Sequence, residues 1–268
     1  MTDFHRCLLG ARNLILQYKT ITQAIEVPIS VYRRGLYYFG PDKKEIRAGD
    51  GISAQFYTET SEEIRHFYPI YGELDNLNQF VSDLEPDDIV YDIGAHVGIY
   101  SCIAAAALND SQIFAFEPHP ENVDRLNENA ALNGYNLQVY QCALSSNGGK
   151  RKFGIDNNKA GAVGHSDASV RNDEIKVQFI RGSDLVENQG LPLPNVIKID
   201  IEGAELDALY SLDGVLKECR LVYCEISDQL ERYGNCKDEL VNFFLDRGFE
   251  VESLGIGGSS HENIRAVR

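Results

Sequence analysis

The sequence predicts an α/β fold: a Rossmann-like, doubly wound sheet, mostly parallel, with an antiparallel last strand. Three observations carry this. From Ile89 onward, short apolar β-rich runs alternate with helical stretches, the pattern of parallel strands joined by crossover helices. The first run, Ile89 to Ile93, passes through Gly94 into a helix-forming stretch, giving strand, glycine turn and helix. The last two runs, Phe249 to Leu254 and Asn263 to Val267, are joined too closely for a helix, so the final strand reverses direction.

The elements follow in order. Residues 1–27 place Leu8, Leu9, Leu14, Ile15, Ile21 and Ile25 near helical spacing, as in an amphipathic helix. Val27 to Tyr57 is richer in β-formers, broken by Gly35, Gly40-Pro41, Gly49 and Gly51, and reads as a small antiparallel meander. This helix and meander form an extension over 1–75, ahead of a nucleoside-binding domain over 76–268. Ser61 to Leu84 is helical, and Glu85-Pro86-Asp87-Asp88 turns into the first core strand. Val97 to Leu108 makes a helix, Ser111 to Phe116 the second strand, and Pro120 to Asn133 a helix stopped by Gly134. A strand over Leu137 to Leu144 leads through a turn to two further β-like pieces, Arg151 to Asp156 and Ile175 to Ile180. Between them lies the glycine-rich stretch Ala160 to Ser169, a predicted lid or substrate loop. The core resumes with a strand over Asn195 to Ile201, a helix from Gly203 to Lys217, a strand over Arg220 to Ile226 and a helix over Lys237 to Arg247.

Composition narrows the function. A chain of 268 residues with 43% hydrophobic content can bury one substantial core and a small attachment. The net charge of −16 opposes nucleic acid and anionic membrane partners and serves solubility. The six cysteines contain no Cys-x-x-Cys pair and read as reduced core thiols. The N-terminal stretch lacks a continuous apolar segment, and no run approaches the roughly 18 apolar residues of a membrane span. A cytoplasmic protein is therefore expected.

Chemistry concentrates in VYDIGAHVGIYS, Val90 to Ser101, and FAFEPHP, Phe114 to Pro120. Glycines at 94 and 98 permit a sharp turn and close approach of a ligand, or simply close packing of helix on sheet. Their G-x-x-x-G spacing lacks the third glycine of a dinucleotide fingerprint, which weakens a nicotinamide oxidoreductase reading. Glu117 stands 23 positions beyond Gly94, at the end of the second strand, where a carboxylate accepts hydrogen bonds from two ribose hydroxyls. Asp92 and the carboxylates downstream would repel phosphates and suit the ammonium and sulfonium of S-adenosylmethionine.

NVIKIDIEGAE, Asn195 to Glu205, breaks the rule that a central parallel strand is apolar on both faces, since it alternates Ile with Lys198, Asp200 and Glu202. Buried charge needs a partner or a task. Lys198 either pairs with one of these carboxylates, with Glu202 and Glu205 favouring a helix N-terminus, or Asp200 is functional at the carboxyl end of its strand.

Taken together, VYDIGAHVGIYS, FAFEPHPENVDRLNENAALNG, CALSSNGG, KIDIEGAE and LVYCEIS resemble the FkbM family of S-adenosylmethionine-dependent methyltransferases, in the family's order over roughly Glu73 to Ile226. The resemblance implies a class I methyltransferase fold and O-methylation of a hydroxyl on a small molecule, sugar or glycan. It implies that Asp92, Gly94, His96 and Gly98 surround the methionine part of the cofactor and that Glu117 holds the ribose, with Asp200 beside the methyl group. His96 stands where the family commonly has Asn and reads as a replacement. Many related enzymes reach adenine with an acidic residue at the third strand's end. Here Gln141-Cys142-Ala143 stands instead, leaving adenine to the backbone around Cys142 and Ala143.

Methyl transfer needs alignment of the acceptor and removal of its proton. Asp200, Glu225 and His165 are the candidate catalytic groups. Glu225 also fits a capping or sheet-edge carboxylate, and His165 a solvated loop histidine. No metal is assigned, although Asp200, Glu202 and Glu225 offer hard oxygen ligands for a metal-assisted variant. A nucleoside-binding protein without turnover is the alternative from another class.

Overall fold

The computed structural model describes residues 40–67, 71–108, 110–155, 159–161, 163–165, 173–227, 229–256 and 261–268, together with residues 35 and 37. The helix predicted over 1–27 and the stretch 166–169 of the glycine-rich loop lie outside the described residues. Of the meander predicted over 27–57, the second half is an antiparallel hairpin of β1 (Lys43–Ala48) and β2 (Ile52–Tyr57), whereas Gly35 and Tyr37 are helical and the rest of 27–39 lies outside the described residues. The hairpin's alternation buries Ile46, Ala48, Ala54 and Phe56. Two helices follow, α1 (Ser61–Phe67) and α2 (Tyr71–Asp83), where the sequence reads as one helical stretch. A capping box starts α1: the Glu63 amide donates to Thr60 Oγ1 at 3.1 Å and the Thr60 amide to Glu63 Oε2 at 2.8 Å.

The nucleoside-binding half begins with β3 (Val90–Ile93), α3 (Ile99–Ala107), β4 (Ile113–Phe116), α4 (Pro120–Leu132) and β5 (Gln138–Tyr140). The strand predicted over 137–144 is broken. The Cys142 amide turns back to the Tyr140 carbonyl at 2.9 Å, and Ala143–Leu144, here β6, joins a different sheet. That second sheet has the order β6-β9-β7-β8 and is built with β7 (Gly149–Ile155), β8 (Gly164–His165) and β9 (Asp173–Ile180). A helix the sequence reading missed, α5 (Gly182–Gln189), comes next. Its buried apolar pair, Leu185 and Val186, is too sparse to show a period.

The chain continues through β10 (Val196–Ile199), α6 (Glu205–Ser211), β11 (Leu221–Ile226), α7 (Lys237–Leu245), β12 (Glu250–Ile256) and β13 (Glu262–Val267). The helix predicted over 203–217 stops early. Bonds to the third residue back, from Leu212 to Leu209 and from Asp213 to Tyr210, tighten its end, and a separate short turn covers Leu216–Glu218.

The main sheet has the order β12-β13-β11-β10-β3-β4-β5. The five strands β11, β10, β3, β4 and β5 are parallel, and β13 runs antiparallel to both β11 and β12, as the short final connection predicts. One face, with Tyr91, Phe116, Ile197, Ile199, Val222 and Cys224, packs against Leu185 of α5, Leu206 and Leu209 of α6, and Phe243 and Phe244 of α7. The other, with Val90, Ile113, Ala115, Val196, Leu221 and Tyr223, packs against α2, α3, α4 and the hairpin through Leu77, Phe80, Ile103, Leu126 and Phe56.

Gly94 and Gly98 close off β3. Both have a left-handed backbone, φ 81° and 88°. A Cβ on Gly94 would lie 2.0 Å from the Asp200 carbonyl oxygen, whereas one on Gly98 would meet the Leu126 side chain of α4 at 2.9 Å. The close approaches that these glycines allow are thus made by the protein's own backbone and side chains. Gly94→Ala should cost about 2–5 kcal/mol, because left-handed strain adds to a collision with backbone. Gly98→Ala should cost less, since a leucine side chain can shift. Urea midpoints of the two variants test that ranking, and a milder effect at Gly94 would contradict it.

Candidate active site

The carboxyl ends of β3, β4, β10 and β11 open onto a cavity of about 400 Å³, where open α/β sheets bind their ligands. Its wall includes Asp92, Gly94, His96, Glu117, Cys142, Ala143, Asp200 and Glu225, so the sequence-predicted residues converge on one space. Gly98 is not on that wall. It caps the start of α3 and packs on α4.

Glu117 follows the last residue of β4 and is buried. Its two oxygens accept separate backbone hydrogen bonds, from the His96 amide and from the His119 amide, each at 2.9 Å. The carboxylate therefore ties the loop after β3 to the start of α4. Oε1 also receives a long hydrogen bond from Asn122 Nδ2 at 3.4 Å, so the lone pair left for a further donor is on Oε2. Burial pushes the Glu117 pKa up to about 7, against the lowering effect of those hydrogen bonds. Asp92, buried beneath the same loop, accepts from Ser101 Oγ at 2.5 Å, and burial lifts its pKa to about 6. His96 has φ 54°, a left-handed conformation in which asparagine and histidine are both enriched. That backbone requirement explains how histidine can replace asparagine at this position.

Strand periodicity explains the charges on β10. Lys198 pairs in register with Asp92 of β3 and Tyr223 of β11, so Asp92, Lys198, Asp200 and Glu225 share one face of the sheet at its active end. The Lys198 ammonium is 3% exposed, lies 3.3 Å from Asp200 Oδ2 and sits 4.8 Å from the centre of the Tyr100 ring. Burial pulls its pKa down, but Asp200, Tyr100, Glu225 and Asp92 outweigh that and hold it above the ordinary lysine value. The pairing of Lys198 with Asp200 and the place of Asp200 on the cavity wall are both realised.

Glu73 of α2, which the sequence reading did not single out, faces the same group of charges. Burial, then Asp200 and Glu225, raise its pKa to about 7. Glu202 has φ 55° and accepts from Ser227 Oγ at 3.2 Å. Burial, then Asp200, bring its pKa to about 7. Glu225 bonds to His261 Nδ1 at 2.8 Å. The three carboxylates considered for a metal thus engage Lys198, Ser227 and His261 separately. Among the described residues no three His, Cys, Asp or Glu side chains form a metal-holding group.

The beginning of the glycine-rich loop is fastened over the cavity. The Ala160 carbonyl accepts from Thr60 Oγ1 at 2.8 Å, the Gly161 amide donates to Asn122 Oδ1 at 2.9 Å, and the Gly161 carbonyl lies 3.1 Å from His66 Nε2. The His66 ring stands edge-on to His96, with centroids 4.5 Å apart. Val163 and Gly164 line the cavity. His165 pairs through its backbone with Gly154 of β7, and its side chain lies outside the described residues. His66, Glu73, Asn122 and His261 carry no sequence signal of their own, because each is brought to the site by tertiary packing.

Residues 92–251 match the model of the methyltransferase FkbM domain. The hexuronic acid methyltransferase AglP of Haloferax volcanii is 32% identical over 176 residues, covering 66% of this chain and 71% of its own. The 31-O-demethyl-FK506 methyltransferase FkbM of Streptomyces tacrolimicus is 26% identical, covering 63% of this chain and 75% of its own. A crystal structure of a methyltransferase FkbM from Methylobacillus flagellatus KT superposes with a TM-score of 0.47 at 13% identity, covering 91% of this chain and 60% of that one. The chain has a class I methyltransferase fold and belongs to the FkbM methyltransferase family.

Proposed function

We propose that this methyltransferase uses S-adenosylmethionine and transfers the methyl group to a hydroxyl of a small molecule, sugar or glycan. Glu117 is the observation that carries the reading. It is a buried carboxylate at the end of β4, fixed by two backbone amides and bordering the cavity, and it suits a ribose diol. The rest of the wall favours a cationic ligand over a phosphate. Among the described residues it presents six carboxylates, Glu73, Asp92, Glu117, Asp200, Glu202 and Glu225, against the basic groups Arg65 and Lys198. Among the relatives' names, a 31-O-demethyl-FK506 methyltransferase and the 2-O-methyltransferase NoeI of Sinorhizobium fredii support an oxygen acceptor, whereas a hexuronic acid offers hydroxyls and a carboxyl alike. Among the described residues no helix is long and apolar enough to cross a membrane, and the five described cysteines are free, which fits the cytoplasm as the working compartment.

S-adenosylmethionine supplies a methyl group on a positively charged sulfur that leaves readily. The chain's own residues bind and align. Glu117 would hold the ribose, Cys142 and Ala143 form the wall beside adenine, and Asp92 with Gly94 and His96 would hold the amino-acid end. Asp200, just past the end of β10, and Glu225, near the end of the adjacent parallel strand β11, would flank the acceptor oxygen. Alignment of that oxygen is the largest contribution the protein can make, since a well-oriented displacement avoids most of the entropic cost of encounter.

S-adenosylmethionine and S-adenosylhomocysteine should raise the thermal midpoint while NAD leaves it unchanged. Equal stabilisation by NAD would overturn the cofactor assignment. Intact-mass analysis of uronic and neutral glycosides incubated with protein and methyl-labelled cofactor tests the acceptor class. Transfer to nitrogen acceptors alone would refute it.

Glu117→Ala should weaken cofactor binding by about 1.5–3 kcal/mol, the range for hydrogen bonds to a charged group. It should also lower the urea midpoint, because the His96 and His119 amides lose their acceptor. Glu117→Gln, which keeps one oxygen, should be milder on both counts. Unchanged affinity in a folded Glu117→Ala protein, measured by calorimetry, would remove the ribose assignment.

The carboxylates also predict a pH response. Asp92 with a pKa of about 6, and Glu73, Glu117 and Glu202 with values of about 7, lie above the values these groups take in an unfolded chain. The folded protein therefore holds more protons than the unfolded chain between roughly pH 4 and 7, and stability falls as pH rises through that window. A cationic ligand recovers the cost of ionisation. The midpoint of the cofactor-free protein should fall from pH 5 to 8, while the shift given by S-adenosylmethionine grows. A ligand-induced shift that shrinks over the same range would contradict the cation reading.

A further inference from the structure

We propose that His261 is a positioning residue for methyl transfer, holding the Glu225 carboxylate at the acceptor end of the cavity so that Glu225 takes the proton of the acceptor hydroxyl. This rests on the methyltransferase reading given above. The antiparallel last strand supplies the geometry. Glu225 of β11 pairs in register with Asn263 of β13. His261 stands two residues before Asn263, on the same face and diagonal to Glu225, within reach of a long side chain. The contact is made: His261 Nδ1 lies 2.8 Å from Glu225 Oε1, with the two side chains only 14% and 11% exposed.

Glu225 is better placed for the proton than Asp200. Both line the cavity, but Asp200 directs Oδ2 to the Lys198 ammonium at 3.3 Å and is 40% exposed. Glu225 is buried and is hydrogen-bonded to an imidazole, which can itself change charge near neutral pH. The groups that face Glu225 are Lys198 and Asp200 from β10 and the turn after it, Glu202 from the same turn, His261 from the approach to β13, and Glu73 from α2. Burial and then Asp200 raise the proton affinity of Glu225, while Lys198 and the His261 hydrogen bond restrain it. A carboxylate lifted in this way toward working pH is a better proton acceptor than an ordinary surface one.

The step balances in atoms and charge. As the acceptor oxygen forms its bond to the methyl carbon, its O–H bond breaks and the proton passes to Glu225. The carbon–sulfur bond breaks with its electron pair retained by sulfur, leaving a neutral thioether. The carboxyl formed at Glu225 then loses its proton to solvent.

The test compares wild type with His261→Ala, His261→Gln and Glu225→Gln. In cofactor-free protein, NMR of labelled histidines should show the His261 midpoint falling by about one unit or more in Glu225→Gln, as the carboxylate partner is lost. An unmoved midpoint would overturn the pairing, with no acceptor or turnover required. Calorimetry with S-adenosylhomocysteine should give affinities for both His261 variants within about twofold of wild type, since neither residue is assigned to the cofactor. On the glycoside methylated fastest by wild type, His261→Ala should lower kcat about tenfold or more, leave KM little changed, and move the acid limb of the pH–rate profile upward. His261→Gln, which keeps a donor, should recover part of the rate. Unchanged kcat and profile in His261→Ala would overturn the proposal and leave Asp200 as the base. Wild type that binds neither the cofactor nor its product would instead remove the methyltransferase reading, while the NMR arm still reports on the pair.

Discussion

The buried ammonium of Lys198 is the constraint around which the active end of the sheet is organised. It sits in the middle strand of the seven-stranded sheet, between two parallel neighbours, a position normally filled by aliphatic side chains. A lone charge there would cost several kcal/mol even after local relaxation. The sequence offsets that cost with carboxylates on the same face, Asp92 on one neighbouring strand and Glu225 on the other, and with Asp200 immediately after its own strand. The arrangement is reciprocal. The carboxylates stay close together beside a cavity because the ammonium lies among them, and the ammonium stays buried because they surround it. The Tyr100 ring from α3 closes the remaining side, which makes the first helix after the glycine turn part of the charge balance.

A second constraint fixes where that group lies relative to the cofactor loop. The Gly94 backbone and the Asp200 carbonyl approach so closely that no side chain fits between them. The Asp200 amide donates to the Ile93 carbonyl at 3.0 Å, and the Gly94 amide donates to the Phe116 carbonyl at 2.9 Å. Three strand ends, of β3, β4 and β10, are thereby laced together at one point. Glu117 adds a fourth tie by accepting from the loop after β3 and from the start of α4. A site built in this way is set by backbone contacts together with the Glu117 carboxylate.

How much of this is legible in the sequence depends on whether a feature is local. Strand, glycine turn, helix and acid lie within a span of 30 residues, and their order points to the parallel core and to the cavity-lining places of Asp92, Gly94 and Glu117, while the short final connection points to the reversal of the last strand. The charged strand announced itself because Lys198 and Asp200 break an apolar pattern. What escaped notice depends on distant pairing. His261 reaches Glu225 only through the register of β11 with β13, Glu73 reaches the charges only because α2 packs over that face, and Asn122 and His66 meet Gly161 across separate elements. The misread bounds have local causes of another kind. The break between β5 and β6 is a single amide turning back to Tyr140, and α6 ends where its bonds shift to the third residue, neither of which changes the apolar pattern.

The acidity of the cavity has a consequence for the chemistry proposed for it. Methyl transfer removes a positive charge from sulfur and releases a proton from the acceptor oxygen. In a wall where carboxylates outnumber basic groups, loss of the cation alone would leave carboxylate repulsion uncompensated, an effect that grows as the local dielectric falls. Delivery of the proton to a carboxylate of the same wall keeps the net charge of the cavity constant through the step. Glu225 is suited to that role, because it lies on the face shared with Lys198 and Asp200 and is steadied by a group outside the cavity wall, His261. The charge pattern that favours the sulfonium before transfer is then the pattern that makes proton capture favourable during it, so binding and proton removal draw on one set of residues.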